Sequence, residues 1–192
     1  MPSARTHDII TVVSGVVLTP LAYYAVRTYT DLTPATALAG SLYFGGAHIV
    51  SGMLFSPDLD IDSTIDNRWG VFFWIWRPYM WLIPHRSFWS HSLLIAPLLR
   101  LGYFVLVVSA LVWVVVWLGS LIGLTTADDH RALVSGVREF IVTHPLETWA
   151  VVLGFCTGSA AHTVADWLVT KGSRLLGSYG RQLRRRYRHH DR

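Results

Sequence analysis

Apolar stretches along this chain are bounded at the scale of a bilayer crossing. A spanning helix needs about 20 predominantly apolar residues. Four stretches free of Asp, Glu, Lys and Arg meet or approach that length: Ile9 to Val26, Leu32 to Pro57, Leu101 to Ala127 and Thr148 to Ala165. The second contains His48 and the fourth His162, while the third opens LGYFVLVVSALVWVVVWLGSLIGL. Between the second and third, Val71 to Pro84 reads VFFWIWRPYMWLIP, and five of the nine tryptophans fall from Trp69 to Trp89. This segment is too short to cross, and Trp and Tyr favour the headgroup level, so it is expected to be interfacial or re-entrant. The flanking Arg68, Arg77 and Arg86 weigh against a buried soluble helix. A second amphipathic piece, Ala132 to Val142, is expected on the opposite surface. The run after Arg5 lacks a small-x-small cleavage site and reads as the first span rather than a signal peptide. The pattern predicts an all-α polytopic membrane protein with about four transmembrane helices plus the Trp-rich segment. Residues 1–172 form the membrane domain and 173–192 a basic tail.

Composition narrows the chemistry. Among 192 residues 52% are hydrophobic and 15% charged, against about 25% charged in soluble domains, which excludes an ordinary soluble globule. Cys156 stands alone, so an internal disulfide and a thiolate zinc cluster are both excluded, and any metal is left to His and carboxylates. The net charge of +4 is unevenly spread: residues 1–170 carry 8 basic against 11 acidic side chains, residues 171–192 carry 8 against Asp191. Arginine beside an apolar segment obeys the positive-inside rule and meets anionic lipid, a reading favoured over nucleic acid for this tail. An even number of crossings then puts both termini on the cytoplasmic side of a bacterial-type inner membrane.

That topology gathers the unusual residues at the cytoplasmic face. His7 and Asp8 start the first span, Ser56-Pro-Asp-Leu-Asp-Ile-Asp62 ends the second, His85, Arg86 and His91 precede the third, and His162 and Asp166 sit near the end of the fourth. His162 and Asp166 are four apart and share one helix face. Alone, the pair fits a packing hydrogen bond as well as a ligand set. Asp58, Asp60 and Asp62 alternate, which puts three carboxylates on one side if the stretch is extended and sets them against each other unless a cation intervenes; a solvated turn accounts for them equally. His85-Arg-Ser-Phe-Trp-Ser-His91-Ser supplies two imidazoles and a guanidinium. A mixed imidazole and carboxylate set suits a borderline or hard divalent ion, zinc foremost with manganese or magnesium as alternatives, and disfavours copper(I) or iron-sulfur centres. Arg86 is suited to a phosphate or to interfacial snorkelling. His48, two turns inside the second span, fits either a ligand or a helix-packing residue.

Four motifs in chain order, Arg5-Thr-His-Asp8, Ser56-Pro-Asp-Leu-Asp60, His85-Arg-Ser-Phe-Trp-Ser-His-Ser92 and His162-Thr-Val-Ala-Asp166, resemble those of the YdjM-like membrane-bound metal-dependent hydrolases over roughly residues 3 to 172. Asp58 to Ser92, with Arg68-Trp-Gly70 and Trp76-Arg-Pro-Tyr79, is closer to a related group of metal-binding membrane proteins. Ser87 stands where the hydrolase group more often has glycine. The resemblance implies that His7, Asp58, Asp60, His91, His162 and Asp166 belong to the metal site, with His85 and Arg86 close by.

Four functional readings follow. A hydrolase would use one or two divalent ions, Asp60 or Asp62 as base, and Arg86 to steady a lipid-like phosphoester. A non-catalytic scaffold would use the metal only to fasten its segments together. Ion transport would need a polar route, which the uncharged third span does not offer, and a haem held by His48 and His162 would be visible in the absorption spectrum.

Overall fold

The computed structural model describes residues 4–56, Leu59, 68–84 and 87–190. Among the described residues every regular element is helical: α1 (Ala4–Tyr29), α2 (Pro34–Leu54), a 3-10 segment (Gly70–Trp76) running into α3 (Arg77–Leu82), α4 (Phe88–His91), α5 (Ile95–Leu121), α6 (Ala127–Thr143) and α7 (Pro145–His190). Local chemistry sets several of these boundaries. The Thr33 hydroxyl accepts the Thr36 N–H at 3.2 Å and Pro34 occupies the first helical turn, which starts α2. Gly123, at φ +73°, ends the turn after α5, where the Leu124 N–H reaches the Gly119 carbonyl at 2.9 Å. Asp129 accepts the Thr126 N–H at 2.6 Å in a capping box that starts α6.

Three helices, Arg5–Tyr29, Pro34–Leu54 and Ile95–Leu121, are long and apolar enough to cross a membrane by length and composition. A fourth candidate is the bent pair formed by α6 and Pro145–Val169, which meet at 92°. The expected third span is shifted: α5 begins at Ile95, so Arg100 lies inside the helix rather than before it. The helix begun by the expected fourth span continues unbroken to His190 through the basic stretch.

α1, α2 and α7 form the packed centre, with α2 seated mainly on α7. Their approach is close because Gly154 and Gly158, four residues apart on α7, face the backbone of α2. A Cβ at Gly158 would lie 2.8 Å from the His48 carbonyl carbon, and one at Gly154 would lie 3.0 Å from that of Phe44. Small residues at this spacing let helix backbones touch. His48, wholly buried, ties the three helices together through Ser14 Oγ at 2.9 Å from its Nε2 and Thr157 Oγ1 at 2.9 Å from its Nδ1. It therefore serves as a packing tie between helices.

The Trp-rich segment has two faces. Phe73, Ile75, Trp76 and Tyr79 are buried against Phe55, Leu59 and Phe155, with Phe55 to Phe155 ring centroids 4.9 Å apart and Trp76 stacked on Phe104 at 6.2 Å. Val71, Phe72, Trp74, Trp81 and Leu82 point outward, and Trp81 is 93% exposed. Arg68 locks the segment's start to the bundle, giving both carboxylate oxygens of Asp8 hydrogen bonds of 2.8 and 2.6 Å and the Met53 carbonyl one of 2.7 Å.

Candidate metal centre

Packing of α1 against α7 brings residues far apart in the chain together. His7 lies in the first turn of α1, and its ring stacks on that of His162 with centroids 3.7 Å apart and planes inclined by 12°. Asp166, one turn beyond His162 on α7, reaches both: its Oδ1 is 3.3 Å from His7 Nε2 and its Oδ2 is 3.7 Å from His162 Nε2. One donor atom from each residue fits within a mutual separation of 4.8 Å. His7 and His162 are 5% and 3% exposed, and Asp166 is half-buried.

This donor set fits a divalent cation on chemical grounds. Two imidazole nitrogens and a carboxylate oxygen are standard zinc ligands and are also accepted by manganese. Asp166 Oδ1 is buried and, beyond its 3.3 Å approach to His7 Nε2, receives no hydrogen bond among the described residues, so it would gain from a cation.

The neighbouring residue Asp8 is not part of this set. Its carboxylate is engaged by Arg68 in the bidentate pair described above, 24% and 29% exposed at the two side chains. Adjacent residues on α1 thus have separate duties: His7 faces α7, and Asp8 holds the Trp-rich segment.

Of the other residues expected here, Asp58, Asp60, Asp62, His85 and Arg86 lie outside the described residues. His91 falls in α4, but its side chain also lies outside the described part. The flanking positions are placed. Phe55 and Ser56, just before the aspartate motif, are buried at the end of α2, and Ser90, just before His91, is buried as well.

One residue escaped the sequence reading. Arg100 is fully buried, donating from Nη1 to the Phe55 carbonyl at 3.1 Å and to Ser159 Oγ at 3.0 Å, and from Nη2 to the Ser90 carbonyl. A search for charge-free stretches treats any arginine as a boundary and so set Arg100 outside the third span. The signal available in the sequence was Pro97, three residues earlier, which favours a helix start upstream of the arginine.

Comparison with known families gives one finding: residues 2–176 match the model of the family described as uncharacterized metal-binding protein (DUF2227). No curated protein and no solved structure matches the chain.

Proposed function

The chain belongs to this family of metal-binding proteins, and from that premise we propose that it is a membrane-embedded, divalent-metal-dependent hydrolase acting on a phosphoester or lipid-like substrate at the cytoplasmic interface. The observation that carries the reading is the convergence of His7 from α1 with His162 and Asp166 from the middle of α7 into one largely buried cluster. Catalytic zinc uses three protein ligands and keeps a fourth position for water or substrate, and three donors gather here among the described residues. A divalent ion here would be held by imidazole nitrogens of His7 and His162 and the carboxylate of Asp166, and would supply Lewis acidity and activate a water for attack. Two imidazoles in the set favour zinc over magnesium. A second ion would draw on Asp58, Asp60, His85 and His91. The roles of Asp60 or Asp62 as base and of Arg86 as phosphate clamp rest on the sequence motifs.

The surface supports the membrane setting. Large apolar side chains are exposed along α1, α2 and α5, among them Val16, Leu42, Leu106, Val115 and Leu121. Water is a poor partner for such a surface, and lipid a good one. α6 stands perpendicular to α7 and exposes Leu133, Val134, Val137, Phe140 and Ile141, which share one helical face. That is the geometry of a helix lying in the interface. The positive-inside rule assigns both termini to the cytoplasm, with the arginine tail against anionic lipid.

The test is turnover by detergent-purified protein in mixed micelles of glycerophospholipids. Product release that requires added divalent metal, and that vanishes in Asp60→Ala, supports the hydrolase. Equal turnover in that variant removes the assignment.

The burial of both imidazoles favours a second reading, in which the metal only staples α1 to α7 and the protein is a membrane scaffold. Chelation would then lower thermal stability with no activity to lose.

A further inference from the structure

The seam where α1, α2 and α7 meet is polar along most of its length. Below the pocket of His7, His162 and Asp166 comes Thr11, one turn on from His7 and wholly buried, its Oγ1 without a hydrogen-bond partner among the described residues. A Cβ on the facing Gly52 would lie 2.6 Å from that oxygen. Next come Ser14, His48 and Thr157, joined through the imidazole, and Ser14 Oγ is also 3.1 Å from the Thr11 carbonyl. Farther along, Thr19 sits over Gly45, where a Cβ would overlap its hydroxyl, and Ser41 is buried. Thr148 lies near this level, since Leu146 packs on Gly40, and its Oγ1 is likewise buried without a partner among the described residues. There a cavity of about 430 Å³ opens between α1 and α2, with Thr19, Tyr23 and Ser41 in its wall. From His7 to Tyr23 the seam follows about 24 Å of α1, most of the roughly 30 Å of a bilayer's hydrocarbon.

His48 is equipped on both sides of its ring. Ser14 Oγ, at Nε2, donates onward to the Ile10 carbonyl at 2.7 Å, and Thr157 Oγ1, at Nδ1, to the Gly154 carbonyl at 3.0 Å. A hydroxyl with such an outlet accepts from an imidazole N–H, and one turned inward donates to a bare ring nitrogen. The site therefore suits either tautomer and the imidazolium alike. Ionisable residues within spans of this kind mark proton relays, and unpaired buried hydroxyls are where internal water binds.

We propose that the seam of α1, α2 and α7 is a proton path, running from the cavity beside Thr19 and Ser41 through His48 and Thr11 to the pocket of His7, His162 and Asp166. The inference rests on the membrane reading of these helices and is independent of the hydrolase. Internal water bridges the hydroxyls from one level to the next. His48 accepts a proton at its bare ring nitrogen and releases the one carried by the other, so one leaves for each that enters. A half-turn of the neutral ring then restores the first tautomer. The apolar α5 takes no part.

The experiment is proton flux into vesicles of phosphatidylcholine and phosphatidylglycerol holding the full-length protein and a trapped pH-sensitive dye, driven by a potassium gradient with valinomycin. Wild type, His48→Gln, Thr11→Val and Gly102→Ala are compared. Wild type and Gly102→Ala, whose added Cβ meets nothing within 4 Å, should conduct faster than protein-free vesicles. His48→Gln keeps a donor and an acceptor for the two hydroxyls but carries no proton through, so its flux should fall to the protein-free rate. Thr11→Val keeps the shape, removes the hydroxyl and should conduct more slowly than wild type.

Wild-type flux no faster than that of protein-free vesicles overturns the proposal, and so does His48→Gln or Thr11→Val conducting like wild type. Should His48→Gln fail to fold, as read by circular dichroism, Thr11→Val decides alone. Wild-type protein that does not float with the vesicles in a density gradient removes the membrane reading itself, and the proposal with it, which separates that failure from failure of the path.

Discussion

Replacing Gly158 with alanine tests whether close contact between α2 and α7 sets the pocket. The added Cβ would sit 2.8 Å from the His48 carbonyl carbon and 3.0 Å from its Cα, where carbon atoms ordinarily rest at about 3.5 to 4.0 Å. The opposing atoms, nearest of all the His48 carbonyl oxygen, are backbone, so no side chain can swing aside, and the helices must part by about 1 Å or more. Overpacking of this kind costs about 1 to 3 kcal/mol. The strain falls one turn from His162, so the ring should move relative to His7 as well. Thermal unfolding in detergent, monitored by circular dichroism, should show a lower midpoint for Gly158→Ala, and metal affinity should fall with it. Gly102→Ala is the control, because a Cβ there meets nothing within 4 Å. If Gly158→Ala unfolds at the wild-type midpoint while Gly102→Ala does also, α2 and α7 do not meet as described and the reasoning fails.

Other outcomes follow from the same contacts. His48→Leu removes two cross-helix hydrogen bonds and leaves the Ser14 and Thr157 hydroxyls only the carbonyls of their own helices, so unfolding should become easier by about 1 to 3 kcal/mol, with metal content unchanged; loss of metal would restore His48 as a ligand. Arg68→Met leaves the Met53 carbonyl and the Asp8 carboxylate without their donor and should cost about 1.5 to 3 kcal/mol, read by the same unfolding assay. In vesicles of brominated lipid, the fluorescence of Trp81 in a variant lacking the other tryptophans should be quenched strongly, while that of Trp76, buried against Phe104, should resist. Equal quenching at the two positions would contradict the two-faced packing of the Trp-rich segment.

The helical character of the chain was legible because uninterrupted apolar stretches of spanning length have few alternatives. Boundaries were less so. Arg100 shows why: counting charges marks where a chain ought to leave the apolar region, but a guanidinium given enough carbonyl acceptors can stay inside a helix. The basic tail carries Arg, Lys, Leu and Gln, which are good helix formers, and α7 runs on through it to His190. In the pocket, the spacing of His162 and Asp166 could be read directly from helical periodicity. The place of His7 against them depends on how α1 packs on α7, which single-chain periodicity does not contain. The resemblance supplied that residue. For His48, the sequence showed a buried imidazole without its partners, since Ser14 and Thr157 lie on two other helices. The Gly154-Phe-Cys-Thr-Gly158 spacing was present as a signal of close helix packing and would have pointed to α2 and α7 as the central pair.

The central claim is that His7, His162 and Asp166 hold a divalent metal. Elemental analysis of detergent-purified protein after exhaustive dialysis, beside a His162→Ala/Asp166→Ala double variant of the same preparation, tests it most directly. The account predicts retained metal in the wild type and its loss from the variant, with both proteins still helical. Equal metal content in the two would contradict it.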